Sequence, residues 1–168
     1  MHEQSQAFDV LTNSDNYKIN LLLYELKPFT GLLRLLDCPS SNTSKTENKD
    51  LDYIVADNSI HSILNILIDG GDSTISTSQH PFFQSLSECG GIKKIFELFQ
   101  KNLNSYTKDY SALIIGFVYR AQEITDQLMK KEIISYLKNL LNDTDDWKKK
   151  ISLNALKYLS QNAGLFIV

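Results

Sequence analysis

Apolar residues recur through most of the chain at three- and four-residue spacing, which places them on one side of an α-helix. A five-residue block, with two apolar residues on each side of a polar one, marks three of these segments. It occurs at Leu32–Leu36 and Ile95–Phe99, and Leu137–Leu141 repeats it with Lys138 in place of the second apolar residue. Because the glycines lie mostly at the edges of apolar segments, the pattern predicts helices joined by turns.

Two helix types alternate along the sequence, and each recurs after a similar interval. The blocks that begin at Ile95 and Leu137 are 42 residues apart. A second segment, Ser111–Phe117, matches Asn154–Ser160 with a shift of 43 residues. These intervals fall within the range of roughly 40 to 47 residues that is typical of repeats built from two or three helices. The sequence therefore predicts stacked helical repeats.

Several segments carry a resemblance to one repeat family. Cys89–Phe99 resembles the second helix of an armadillo repeat, and Glu132–Leu141 resembles the next copy of that helix. Between them, Ser111–Arg120 resembles the third helix and Glu123–Met129 the short first helix. The resemblance implies an all-α fold, namely an armadillo/HEAT-like right-handed α-solenoid of about three to four short repeats in one domain that spans residues 1–168.

The repeat units implied by this resemblance differ in length, and polar insertions separate some of them. The expected divisions are a weak repeat at 17–68 with a polar insertion at 38–57, an inserted loop at 69–80, repeats at 81–121 and 122–163, and the start of a further unit at 164–168. The run 39–49 lacks large apolar side chains, so we expect a mobile loop there. We also expect Gly70 and Gly71 to end a helix, and deletion of Ser73–Ser78 to leave folding intact.

In two later segments, the types of side chain predict where a helix begins and how deeply a helix is buried. In 143–163, acidic and capping residues at 143–146 predict a helix start, and the three lysines at 148–150 indicate a solvated helix face. The segment Tyr110–Ala121 is apolar on nearly all sides, which predicts a helix buried among several neighbours.

Composition narrows the class of partner and the compartment. The chain has 168 residues, a formal net charge of -3 and two cysteines, Cys38 and Cys89. The acidic balance argues against nucleic acid as a partner, and no apolar run approaches the roughly 20 residues of a membrane helix. No secretory signal precedes the first helical pattern, so we expect a cytoplasmic protein that does not bind membranes, with a nuclear location left open.

Catalytic chemistry finds little support in the sequence. The stretch Ile66–His80 runs from apolar residues into a Gly/Ser/Thr loop, but it contains neither a Walker motif nor G-x-G-x-x-G. Cys89 with His80 or His61 would form a nucleophile and base only if the fold brought them together. The histidines and cysteines lack metal-ligand spacing. We therefore expect no enzyme, no cofactor and no metal.

The function implied by the resemblance is a protein-binding scaffold whose third helices line a concave face. In armadillo import receptors this face carries Trp and Asn four residues apart, and the matching positions here are Ile114 with Val118, and Lys157 with Gln161. Those four residues are the candidate face for a protein or peptide partner, although the apolar pair could instead belong to the core. The alternative is an armadillo-type regulator of heat-shock chaperone nucleotide exchange. An uncapped C-terminal end would also permit self-association.

Overall fold

The computed structural model describes residues 2–12, 26, 28–36, 49–72, 74 and 77–161. Every regular element in this part of the chain is a helix, which confirms the all-α prediction. The helices are α1 (His2–Thr12), α2 (Phe29–Leu35), α3 (Lys49–Asp72), α4 (Phe83–Glu88), α5 (Gly91–Lys101), α6 (Ser105–Val118), α7 (Gln127–Leu140) and α8 (Asp146–Ser160).

Helices α1, α3, α6 and α8 contact one another in chain order. On α1, Ser5 accepts a hydrogen bond from Asn58 of α3 at 3.4 Å. One turn further along both helices, Asp9 Oδ1 lies 2.8 Å from His61 Nδ1. Because both contacts advance together along the chain, α1 and α3 run in the same direction.

The same direction continues through the other two helices of this series. It follows from the contacts His61–Tyr110, Gly71–Arg120, Tyr110–Trp147 and Gly116–Ala155. The series α1, α3, α6 and α8 is therefore a parallel layer, which we call the parallel layer below. Helix α5 packs against α6, and α7 packs against both α6 and α8.

Helix α6 lies at the centre of the described structure. It contacts α3, α5, α7 and α8, and every residue of Asp109–Val118 is buried. Asn104 begins the helix, because its side chain accepts a hydrogen bond from the Thr107 backbone N–H at 2.7 Å. Gly116 allows α8 to approach, since a Cβ atom there would lie 2.6 Å from Ala155 Cβ. The prediction of a helix buried on several sides is confirmed.

The five-residue blocks supply part of the hydrophobic core. Their buried members are Leu32, Leu33, Ile95, Phe96, Leu98, Phe99, Leu137 and Leu140. The predicted start of the last helix is also confirmed, because Asp145 caps α8 by accepting from the backbone N–H groups of Trp147 and Lys148.

Two predicted boundaries are wrong. Residues 123–126 are not helical, so the separate short helix at Glu123–Met129 is absent. Helix α7 begins instead at Gln127, because the Asp126 carboxylate accepts from the backbone N–H groups of Leu128 and Met129. The insertion placed at 38–57 is also too long, since α3 already begins at Lys49. The run 39–48 and residues 164–168 lie outside the described residues.

The loop placed at 69–80 is wrong at its start. Helix α3 continues through both glycines to Asp72. Arg120, which is fully buried, contacts three described residues near this end of α3. Its guanidinium donates to the carbonyl oxygens of Gly71 at 2.8 Å and Ser78 at 3.1 Å, and also to the Thr74 hydroxyl. Gly71, Thr74 and Ser78 are therefore all held by one buried side chain, which belongs to the second residue after α6.

Candidate protein-binding site

Half of the predicted binding face lies inside the core. Ile114 and Val118 are each 0% exposed, because α6 is surrounded by its four neighbouring helices. Their assignment to an accessible face is therefore wrong. Lys157 and Gln161, by contrast, are exposed at the end of α8. The structure does not bring the four residues together on one surface.

A cavity of about 350 Å³ opens beside the exposed end of α8, between α7 and α8. Five apolar residues and five polar or charged ones line it: Ile124, Ile134, Leu141, Leu156, Leu159, Gln122, Glu123, Lys130, Lys138 and Ser160. Lys157 follows directly on one of these residues, Leu156, and precedes Ser160 by one turn. Lys157 and Gln161, the exposed half of the predicted face, therefore lie next to this cavity.

Helical spacing explains why α7 contributes to both the core and this cavity. Ile133, Leu137 and Leu140 lie on the side of α7 that is buried. Ile134 and Lys138 follow each of the first two by one residue, so they lie about 100° further around the helix, at the cavity wall. One amphipathic helix thus closes the core and leaves a second apolar strip open to solvent.

Lysines dominate the charged edge of the cavity along α7. Lys130 pairs with Glu123 at 3.1 Å, which neutralises one of them. Lys130, Ile134 and Lys138 also line a shallower hollow that continues along α7 to Lys131. Among the described residues, Lys131 and Lys138 form no ion pair. We call these two lysines without an ion pair, Lys131 and Lys138, the lysine rim.

A buried carboxylate fixes the positions of the two helices that form the cavity walls. Asp109 of α6 accepts a hydrogen bond from the Tyr136 hydroxyl of α7 at 2.7 Å. It also accepts one from Lys148 Nζ of α8 at 2.5 Å, and Lys148 lies 3.8 Å from Asp143. The hydrogen bond to Asp109 raises the pKa of Lys148, and burial, followed by the hydrogen bond to Asp109, raises the pKa of the Tyr136 hydroxyl.

The assignment of Lys148 to a solvated face is therefore wrong, and Asp109 was not predicted as its partner. The sequence did carry one signal, because Asp109 opens an otherwise apolar segment of α6 and a carboxylate buried there requires partners. It carried no signal for which lysine would supply them.

A row of aromatic rings crosses the parallel layer from α3 through α6 to α8. Tyr106 and Tyr110 stack with ring centroids 4.1 Å apart. Tyr110 also contacts the rings of His61 on α3 and Trp147 on α8. Burial raises the pKa of both tyrosines, so their hydroxyls stay protonated well into the alkaline range. This row packs three helices together.

The structure gives His80 a role in packing. His80 is buried, its Nε2 donates to the Leu67 carbonyl oxygen at 2.8 Å, and its Nδ1 accepts from the Phe82 backbone N–H at 3.2 Å. Burial lowers the pKa of His80 to about 4. With both ring nitrogens engaged, His80 is not available as a base for Cys89, which is exposed.

In the part of the chain that the structure describes, no group of three or more His, Cys, Asp and Glu side chains is placed to hold a metal ion. None of the described helices combines the length and apolar character needed to cross a membrane.

Fold and site together define an all-α protein with an apolar cavity bordered by lysines. Comparison with protein families, with curated proteins and with solved structures gives no match to this chain. The armadillo resemblance therefore rests on the sequence pattern alone.

Proposed function

We propose that this protein is a non-catalytic scaffold of the armadillo type that binds a segment of another protein in the cavity between α7 and α8. The observation that carries the proposal is the open apolar cavity itself, because monomeric proteins bury most large apolar surfaces unless those surfaces bind something. The site takes the place of the concave face on α6, which is filled by the chain's own packing.

The helix order supports the repeat architecture in this proposal. Helices α5 and α6 form one consecutive pair, and α7 and α8 form the next, with α6 and α8 side by side in the parallel layer. This is the stacking that a two-layer helical repeat requires. The region 123–126 departs from the armadillo pattern because it lacks the short first helix.

The shape of the opening favours a chain segment over a compact small molecule. Ile134 and Lys138 line both the cavity and the hollow beside it, so the two form one elongated depression along α7. Elongated apolar grooves beside a helix typically accept the apolar side of another helix or an extended peptide.

The test begins with a partner obtained by affinity purification and then purified for titration calorimetry. We expect Leu156→Glu, which places a charge in the cavity wall, to weaken binding by more than about tenfold, since about 1.4 kcal/mol is sufficient for that change. Lys150→Glu is the control, because Lys150 is exposed on α8 but does not line the cavity.

Circular dichroism of each variant separates loss of binding from loss of folding. Lys157→Glu gives a second variant, because an exposed side chain beside the cavity can be changed without disturbing the core. A purified partner that binds wild type and both cavity variants equally would refute the assignment of this site.

A further inference from the structure

We infer that the segment bound between α7 and α8 is an amphipathic helix whose apolar side chains enter the cavity and whose Asp or Glu side chains contact the lysine rim. This inference rests on the proposed function and specifies the chemistry of the partner.

The apolar part of the site sets the first requirement. Ile124, Ile134, Leu141, Leu156 and Leu159 provide walls from α7, from α8 and from the segment before α7. A volume of about 350 Å³ lies near the lower end of the range of about 300–1,000 Å³ found for ligand sites. Such a space suits a few aliphatic side chains that project from one side of a helix at three- and four-residue spacing.

The charges around the opening set the second requirement. Glu123 is neutralised by Lys130, whereas Lys131 and Lys138 have no ion-pair partner among the described residues. The chain as a whole carries a net charge of -3, so the local positive charge does not follow from its composition. An acidic segment gains attraction at this rim, and a basic segment meets repulsion from the same lysines.

The lysine-bearing surface extends past α7 toward α6. Lys108 Nζ lies 5.2 Å from the ring centroids of both Phe99 and Tyr136. These three residues line a third hollow together with Lys131 and Glu132, and this hollow adjoins the rim. Lys108 adds a further cation there, and Glu132, which accepts a hydrogen bond from Gln100 at 3.2 Å, adds one carboxylate.

Other anionic macromolecules fit the site less well. A single-stranded nucleic acid requires aromatic platforms for its bases, and none of the described residues that line the cavity is aromatic. A lipid surface is flat on this scale and leaves a concave cavity unfilled. The combination of an apolar depression and a one-sided lysine rim favours a helix.

The experiment compares two synthetic peptides with the same helical apolar pattern, one with Glu and one with Lys at the flanking positions. Fluorescence anisotropy measures their binding to the full chain. We expect the Glu peptide to bind at least about tenfold more tightly, which corresponds to roughly 1.4 kcal/mol spread over several exposed charge pairs. Added salt should reduce this difference, because exposed charges are screened.

Reversal of one rim charge provides the matched comparison. Lys138→Glu should weaken binding of the Glu peptide by about fivefold and strengthen binding of the Lys peptide, whereas Lys150→Glu should change neither by more than about twofold. Equal binding of both peptides would refute the acidic partner and leave the cavity as a protein site. Failure of both peptides to bind would refute a helix as its occupant. Tighter binding of single-stranded DNA or of anionic lipid vesicles than of the Glu peptide would overturn the inference in favour of those ligands.

Discussion

Arg120 Nη1 donates a hydrogen bond to the Gly71 carbonyl oxygen at 2.8 Å, and so joins the end of α6 to the end of α3. The guanidinium also lies 5.5 Å from the Tyr158 ring centroid of α8. A single buried side chain, two residues after α6, therefore contacts two other members of the parallel layer, α3 and α8. Its remaining hydrogen bonds, to Thr74 and Ser78, hold two residues that follow α3 against the same side chain.

Loss of the Thr74 hydroxyl should destabilise the protein. We expect Thr74→Val to lower the free energy of unfolding by about 1–3 kcal/mol, because a buried guanidinium donor loses its acceptor. Urea denaturation measures the change. Thr77→Ala is the control, since Thr77 is exposed in the same turn and should alter stability by less than about 0.5 kcal/mol. Deletion of Ser73–Ser78 should cost more than Thr74→Val, and a deletion variant as stable as wild type would show that Arg120 does not depend on this turn.

A charge at position 118 should prevent folding. Val118 is fully buried on α6, so Val118→Asp would place a carboxylate in the core without a partner, at a cost of several kcal/mol. We expect loss of the cooperative thermal transition in circular dichroism. Gln161→Ala should leave that transition within about 0.5 kcal/mol of wild type, because Gln161 is exposed. A folded Val118→Asp variant would mean that α6 has an open side.

Acid should destabilise the fold through His80. The pKa of His80 is about 4 in the folded chain and 6.5 in the unfolded chain. Between these pH values the unfolded chain therefore binds a proton that the folded chain does not. Stability from this residue is therefore complete above pH 6.5 and falls by about 3 kcal/mol as the pH drops to 4. Urea denaturation across this range should show a shallower dependence in His80→Gln. An identical pH dependence would exclude His80 as its source.

Two glycines should respond to alanine in opposite directions. At Gly116 the new Cβ would lie 2.6 Å from Ala155 Cβ, so Gly116→Ala should destabilise by about 1–3 kcal/mol as α6 and α8 move apart. At Gly31, within α2, no atom beyond the chain neighbours and the helix's own backbone lies within 4 Å of the new Cβ, so Gly31→Ala should stabilise by about 0.5–1 kcal/mol. Thermal denaturation of both variants checks the signs. Equal effects would contradict the close contact between α6 and α8.

Periodicity and capping chemistry predicted the later helices well. The glycine pair at the start of α5, the apolar run of α6 and the Asp145 cap of α8 are local signals, and each marks a structure that forms nearby in sequence. The prediction of a separate helix at Glu123–Met129 is wrong, because the Asp126 carboxylate caps a single longer helix that begins at Gln127.

The candidate site was harder to predict. Helical spacing shows that Ile114 and Val118 share a side of α6, but it does not show whether another helix covers that side. Long side chains present the same difficulty, since Arg120 reaches Gly71 across 49 positions of sequence and Lys148 reaches Asp109 across 39. The cavity depends on how α7 and α8 meet, which no single segment encodes.

The common direction of its four helices also gives the parallel layer an electrical axis. Helices that run the same way add their backbone dipoles, with positive partial charge at the N-terminal edge and negative at the C-terminal edge. Asp145 lies at the first edge, and Lys157 lies in the last turn of α8, toward the second. A charged helix that docks beside α8 is therefore oriented by the backbone as well as by side chains, so its two possible directions of binding differ in energy.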